Sequence, residues 1–217
     1  PTYDTGWHVA GMKTQHDAAL PTPPLPEQES SVSDRPRRPQ VAAPGPGAPA
    51  TAGRVHLIVG PVGAGKSTYA LQLARDLGGV RLSLDDWMVR LFRPDRPTRG
   101  VVEWYAERAA RCVEQITLVA RDVVATGTNA VLELGLLRRS EREAFYATLR
   151  AARIGLTVHV LDAPRDVRRE RVRLRNQRRG ETFSMEVPLD VFELASDLWE
   201  PIEAYEAAEL DLCVVRW

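Results

Sequence analysis

The residues best equipped for chemistry are Gly60-Pro61-Val62-Gly63-Ala64-Gly65-Lys66-Ser67-Thr68, which follow the pattern G-x-x-x-x-G-K-[ST]. Glycines at this spacing let successive backbone N–H groups curl around a phosphate. A helix beginning at the end of the loop adds the positive end of its dipole. Lys66 can then reach the β- and γ-phosphates of a nucleotide, and the Ser67 hydroxyl can ligate Mg²⁺. The lysine is informative because the only other one is Lys13, and arginine supplies nearly all the remaining positive charge. The expected ligand is a nucleotide phosphate, with ATP and Mg²⁺ as cofactors.

Further polar residues follow the next apolar runs. Ser83-Leu84-Asp85-Asp86-Trp87 brings two carboxylates to a strand end. Asp85 could take a proton from an attacking hydroxyl or hold Mg²⁺, while Asp86 could contact an acceptor or cap the following helix. Thr126-Gly127-Thr128-Asn129 offers Thr128 and Asn129 as donors to substrate oxygens, or simply a polar turn. Arg165, Arg168, Arg169, Arg171, Arg173, Arg175, Arg178 and Arg179 form a dense run balanced only by Asp166 and Glu170. Such arginines suit a flap that stabilises charge on a transferring phosphoryl group, with Gly180 as a hinge, although a solvated helix face explains part of the run. Trp104, Arg108 and Arg111 share one helical face that could line an acceptor site or pack Trp104 into the core. His56 and His159 occupy strand positions and read as structural.

These residues need a scaffold of alternating short apolar runs and longer amphipathic stretches, the pattern of a parallel sheet covered by helices. The expected strands are Val55–Val59, Val80–Leu84, Asp122–Thr126, Leu156–Leu161 and Leu212–Val215. The expected helices are Ser67–Leu77, Asp85–Phe92, Val101–Ala120, Leu136–Ala152, Arg165–Gln177 and Leu189–Ala204. In an open parallel sheet, ligands sit at the carboxyl ends of the strands. That edge is where the loop and the acidic pair are expected to meet.

Composition sets the limits. The chain has 217 residues, 44% hydrophobic, enough for one well-buried domain from residue 54 to 217 preceded by a tail. Residues 1–53 mix proline with Ala, Gly, Ser and Gln and carry almost no apolar periodicity, which predicts a disordered tail. A formal net charge of +0 gives no bulk attraction to nucleic acid or membrane. Cys112 and Cys213 form no metal-spaced pair and read as reduced core thiols, which fits a cytoplasmic protein. No run approaches the ~18 apolar residues of a membrane span.

Together the loop, Ser83-Leu84-Asp85-Asp86-Trp87, Thr126-Gly127-Thr128-Asn129, Arg175-Asn176-Gln177-Arg178-Arg179-Gly180 and Val187-Pro188-Leu189 resemble the small P-loop kinases, with an AAA-like ATP-binding domain, grouped with zeta toxins, chloramphenicol phosphotransferase and the kinase domain of phage polynucleotide kinase. The resemblance spans roughly Val55 to Pro201. It implies an α/β P-loop NTPase three-layer sandwich, with a mostly parallel five-stranded sheet and helices on both faces. It also implies that Asp85 is the general base and that Arg175 and Arg179 touch the phosphates. Where polynucleotide kinase and zeta toxins carry an arginine three residues after that aspartate, this chain has Met88, with Arg90 nearest. That departure makes a small-molecule or nucleotide acceptor the favoured partner over a 5′-hydroxyl polynucleotide. A nucleotide-dependent switch is the other alternative. The strand expected at Asp122–Thr126 lacks the acidic pair with which a motor ATPase positions water. Oligomeric state is not legible.

Overall fold

The structure is a computed structural model describing residues 53–181, 183–203, 206 and 210–215, all within the unit Gly45–Trp217. The segment expected to be a tail lies, up to residue 52, outside the described residues.

Five strands form one fully parallel sheet: β1 (Val55–Val59), β2 (Val80–Ser83), β3 (Ala130–Glu133), β4 (Leu156–Leu161) and β5 (Asp211–Val215), in the spatial order β2-β3-β1-β4-β5. The three inner strands carry near-continuous apolar runs because both of their faces are covered. Side chains alternate across the sheet. Val55, Leu57, Val59, Ala130, Leu132 and Val158 face one core. Ile58, Val131 and Leu161 face the other.

The second core is covered by α1 (Lys66–Leu77), whose Ala70 and Ala74 let the helix approach the sheet closely. The first is covered by α2 (Leu84–Phe92), α3 (Val101–Ala125) and α4 (Arg139–Ala151), which contribute Met88, Cys112, Ile116, Ala120, Phe145 and Leu149. Two further helices, α5 (Arg165–Arg178) and α6 (Leu189–Asp197), follow β4. The fold is thus the α/β three-layer P-loop sandwich. Among the described residues, no helix is long and apolar enough to cross a membrane.

One strand lies elsewhere than expected. Asp122–Thr126 is not β3: its first four residues end α3, which runs for 25 residues. The β-branched pair Val123-Val124 continues the helical face of Ile116 and Ala120 and packs against the same core. Gly127, at φ 83°, reverses the chain, and β3 begins only at Ala130. Asp122–Thr126 thus satisfied a local strand preference that helix packing overrode.

A second feature is a fully buried ion pair. The Arg142 guanidinium donates to both oxygens of Glu206 at 2.8 and 3.0 Å, and the Tyr146 hydroxyl adds a third bond at 3.0 Å. This pins Glu206 to α4 under the Trp199 ring, which lies 5.2 Å from the guanidinium.

Candidate phosphate and acceptor site

The phosphate loop leaves β1 at Gly60, whose backbone passes so close to β4 that a Cβ there would lie 2.1 Å from the Leu161 carbonyl oxygen. Gly63, at φ 80°, tolerates no side chain either, because a Cβ would sit 2.7 Å from the Arg168 carbonyl oxygen. The chain enters α1 through Gly65 in the left-handed region, with no side chain capping the helix. The first-turn N–H groups therefore have no intrahelical acceptor and converge on the mouth of the loop. Lys66 Nζ donates to the Gly60 and Pro61 carbonyls at 2.7 and 2.8 Å, folding back over the loop's first residues. Burial lowers its pKa to about 8, against the pull of Glu133 and Asp85.

Asp85 lies in the first turn of α2, with its side chain accessible to solvent but with much protein packed nearby. That surrounding mass pushes its carboxyl above the ordinary range, while Lys66 and Arg175 draw it back down. Arg175 comes from the last turn of α5, and its charged form is disfavoured by burial and favoured by Asp85. Its Nε is buried and has no hydrogen-bond partner among the described residues. An orphaned guanidinium donor facing a phosphate loop suits an anionic oxygen. Tyr105 of α3 stands on the Asp85 side, its phenol pushed up by burial and by that carboxylate.

Sequence reasoning missed Glu133. Because β3 lies next to β1 and ends with Glu133 in register with Ser83, this buried carboxylate sits beside the loop. Arg81 bridges it, through Nε at 2.6 Å, to Asp86, through Nη1 at 2.8 Å. The signal was the apolar run Ala130-Val131-Leu132 closed by an acid, obscured by the more β-branched Val123-Val124. In the sequence Arg168 is one of a run of arginines. It clamps the loop, donating to the Val62 carbonyl at 2.9 Å, the Ala163 carbonyl at 2.9 Å and Ser196 Oγ at 3.0 Å.

The other expected site residues divide. Ser67 and Thr68 stand in the first turn of α1. Asp86 is held by Arg81 and by the Ser184 hydroxyl, and its N–H is capped by Ser83 Oγ at 3.3 Å. Arg90 is exposed, and Met88 beside it is buried in the core. Arg108 stacks 4.5 Å from the Trp104 ring and 5.9 Å from Phe92, as part of the α2–α3 packing. Arg179 caps α5 in the left-handed region, exposed, 3.8 Å from Glu186 and 5.6 Å from the Phe183 ring.

Thr128 and Asn129 are not in the site. They precede β3 and so lie at the amino edge of the sheet, opposite the loop. There Asn129 Oδ1 accepts from the Arg54 backbone N–H at 3.1 Å, and Thr128 Oγ1 accepts from Thr126. Much of the arginine run is a paired helix face: Arg165 and Arg169 bind Glu193, and Arg173 binds Glu170. Cys112 is a core thiol as expected, but Cys213 is exposed on β5. The oxygen donors of Ser67, Asp85 and Glu133 suit a hard cation such as Mg²⁺. Among the described residues no cluster of three His, Cys, Asp or Glu side chains could hold a metal by itself.

Solved structures share this fold. A candidate kinase from Chloroflexus aurantiacus j-10-fl is 18% identical, with 76% of this chain and 85% of that chain covered at a TM-score of 0.58. Kti12 of Chaetomium thermophilum, in complex with ADP-AlF3, is 17% identical, with 75% and 89% covered at a TM-score of 0.57. No curated protein matches the chain. The model of the AAA domain family matches residues 55–202, the segment that runs from β1 past α6, and the chain belongs to that family.

Proposed function

We propose that the protein is an ATP-dependent phosphotransferase that moves the γ-phosphoryl group to a hydroxyl of a small-molecule or nucleotide acceptor. The observation that carries this is the convergence of Lys66, Asp85 and Arg175 from three different helices on the phosphate loop, each shifted by burial and answered by an opposite charge. The loop amides and Lys66 hold the phosphates. Asp85 takes the acceptor's proton as the acceptor oxygen bonds to the γ-phosphorus, the bond from that phosphorus to the β–γ bridging oxygen breaks, and ADP leaves. Lys66 and Arg175 offset the charge that develops. Its raised pKa makes Asp85 a stronger base than an ordinary carboxylate. Mg²⁺ would be held by Ser67 with Asp85 or Glu133 nearby, and would neutralise phosphate charge.

The resemblance to zeta toxins, chloramphenicol phosphotransferase and polynucleotide kinase supports a hydroxyl acceptor through the loop, Asp85 and Arg175. Its Thr126–Asn129 portion does not count, since that segment lies at the opposite edge. Glu133 favours a second reading, an ATPase that orients water from the end of β3; its ion pair with Arg81 speaks against a free base there.

The test is transfer of labelled γ-phosphate from ATP by wild type and Asp85→Asn. The acceptor panel holds nucleotide-sugars, aminoglycoside and phenicol antibiotics, nucleosides and 5′-hydroxyl oligonucleotides. A labelled product that the variant fails to make supports the phosphotransferase. Acceptor-independent hydrolysis that survives Asp85→Asn and is lost in Glu133→Gln supports the ATPase.

A further inference from the structure

Beyond the phosphate loop, one chain of hydrogen bonds leaves the site and ends on a loop that the proposed chemistry does not use. It starts at Glu133, whose Oε1 accepts from Arg81 Nε at 2.6 Å. Arg81 Nη1 then donates to Asp86 Oδ2 at 2.8 Å. The other Asp86 oxygen, Oδ1, accepts from the Ser184 hydroxyl, in the segment joining α5 to α6. The Arg81 and Glu133 side chains are only 19% and 9% exposed, so the inner half of this chain is little screened by water, while its outer half, Asp86 and Ser184, is half-buried.

The segment carrying Ser184 is tied to the helix that carries Arg175. The Asn176 side chain donates to the Val187 carbonyl at 2.8 Å and accepts from the Val187 N–H at 3.3 Å. The return of the loop is thereby fixed to the last turn of α5, one residue beyond Arg175. A displacement of the loop moves that turn with it. The same loop also reaches α1 through the Arg75–Glu181 pair, whose side chains are 57% and 69% exposed. An exposed pair of that kind contributes little. The Ser184–Asp86 bond is the contact with a charged, part-buried acceptor, and so the stronger of the two.

We propose that Ser184 is a positioning residue that latches the α5–α6 loop onto Asp86, so that Arg175 stays over the phosphate loop and closure shares one hydrogen-bonded chain with Glu133. This rests on the phosphotransferase reading of the site. It also makes Asp86, read from sequence as an acceptor contact or a helix cap, the fixed half of the latch. A serine or threonine hydroxyl can donate to Asp86, whereas alanine cannot.

The test uses the full chain as wild type, Ser184→Ala and Ser184→Thr. Amide hydrogen exchange over residues 180–187, without nucleotide, reads the latch itself. Dissociation of a fluorescent ADP analogue reads its coupling to the phosphate site, with Lys66→Ala as the control for binding at the loop. The expected result is about tenfold faster loop exchange and about tenfold faster ADP dissociation in Ser184→Ala, with Ser184→Thr close to wild type. Unchanged exchange in Ser184→Ala overturns the latch. Faster exchange with ADP leaving at the wild-type rate overturns its coupling to the phosphate site. Wild type that binds no ADP analogue sinks the nucleotide reading and the coupling with it, whereas bound ADP that leaves Ser184→Ala at the wild-type rate sinks the coupling alone.

Discussion

Two clusters of ionisable side chains flank the central strands, and they solve burial in opposite ways. At the carboxyl edge, desolvation disfavours the charged forms of Lys66, Arg81, Asp85 and Arg175, and neighbouring opposite charges oppose that effect. On the α1 face, His56 and His159 are held neutral. Their Nδ1 and Nε2 atoms lie 3.1 Å apart, and His159 Nδ1 lies 2.8 Å from the Tyr69 hydroxyl. Burial lowers the His56 pKa, with the Asn129 side chain acting the other way. Burial takes His159 down to about 4 and Tyr69 up to about 12. Neutral groups that satisfy one another hold a helix to a sheet. Charged groups crowded beside a phosphate loop, with the Arg175 Nε left unpartnered among the described residues, fit the proposed anionic ligand. Substitutions at the first cluster should therefore cost activity, and those at the second should cost stability.

The largest effect sharpens that contrast most. Arg175→Met should lower phosphoryl transfer by about 10³-fold, the scale of a transition-state arginine. Its melting temperature should stay level or rise, since an orphaned buried donor is removed. A drop in both would break the comparison. Asp85→Asn should follow, with a loss of about 10²–10⁴ in turnover and little change in nucleotide affinity, checked by steady-state kinetics beside calorimetry.

The pH dependence separates the clusters next. Lys66 loses its proton near 8, so nucleotide affinity should fall above that pH, approaching tenfold per unit, in a calorimetric pH series. Phosphate binding linked to proton uptake has that sign. For His159 the folded pKa, about 4, lies below the unfolded value of about 6.5. Between those values the unfolded chain binds more protons, so stability is complete above about pH 6.5 and is lost as pH falls toward 4. The loss is at most about 3 kcal/mol, and His159→Phe should flatten that slope in urea melts. Smallest is Tyr69→Phe, expected to cost about 1 kcal/mol of stability with nucleotide binding intact.

The legible part of the molecule was the part with local causes. A glycine loop between a β-branched strand and an amphipathic helix has one arrangement, and Val55–Val59 and the loop into α1 are as expected. The β3 strand was not legible because Val123-Val124 fits either a strand or the inner face of a long helix. Only the packing of α3 against the sheet decides between them, and that single shift exchanged Thr128 and Asn129 for Glu133. Partners far apart in sequence were invisible for the same reason. Nothing local to Arg142 points to Glu206, 64 residues on, and nothing near His56 points to His159. The arginine run did not reveal which of its members face the loop, because the 3.6-residue period turns Arg168 and Arg175 inward and leaves Arg165, Arg169 and Arg173 to their acidic partners.

The central claim is that the carboxyl-edge charges are kept for a nucleotide phosphate. Calorimetric titration of Mg·ATP into wild type and Lys66→Ala tests it most directly. Saturable binding by wild type, weakened on the order of 100-fold in the variant with its melting unchanged, is the predicted result. Equal affinity in the two proteins, or no heat from wild type, would contradict it.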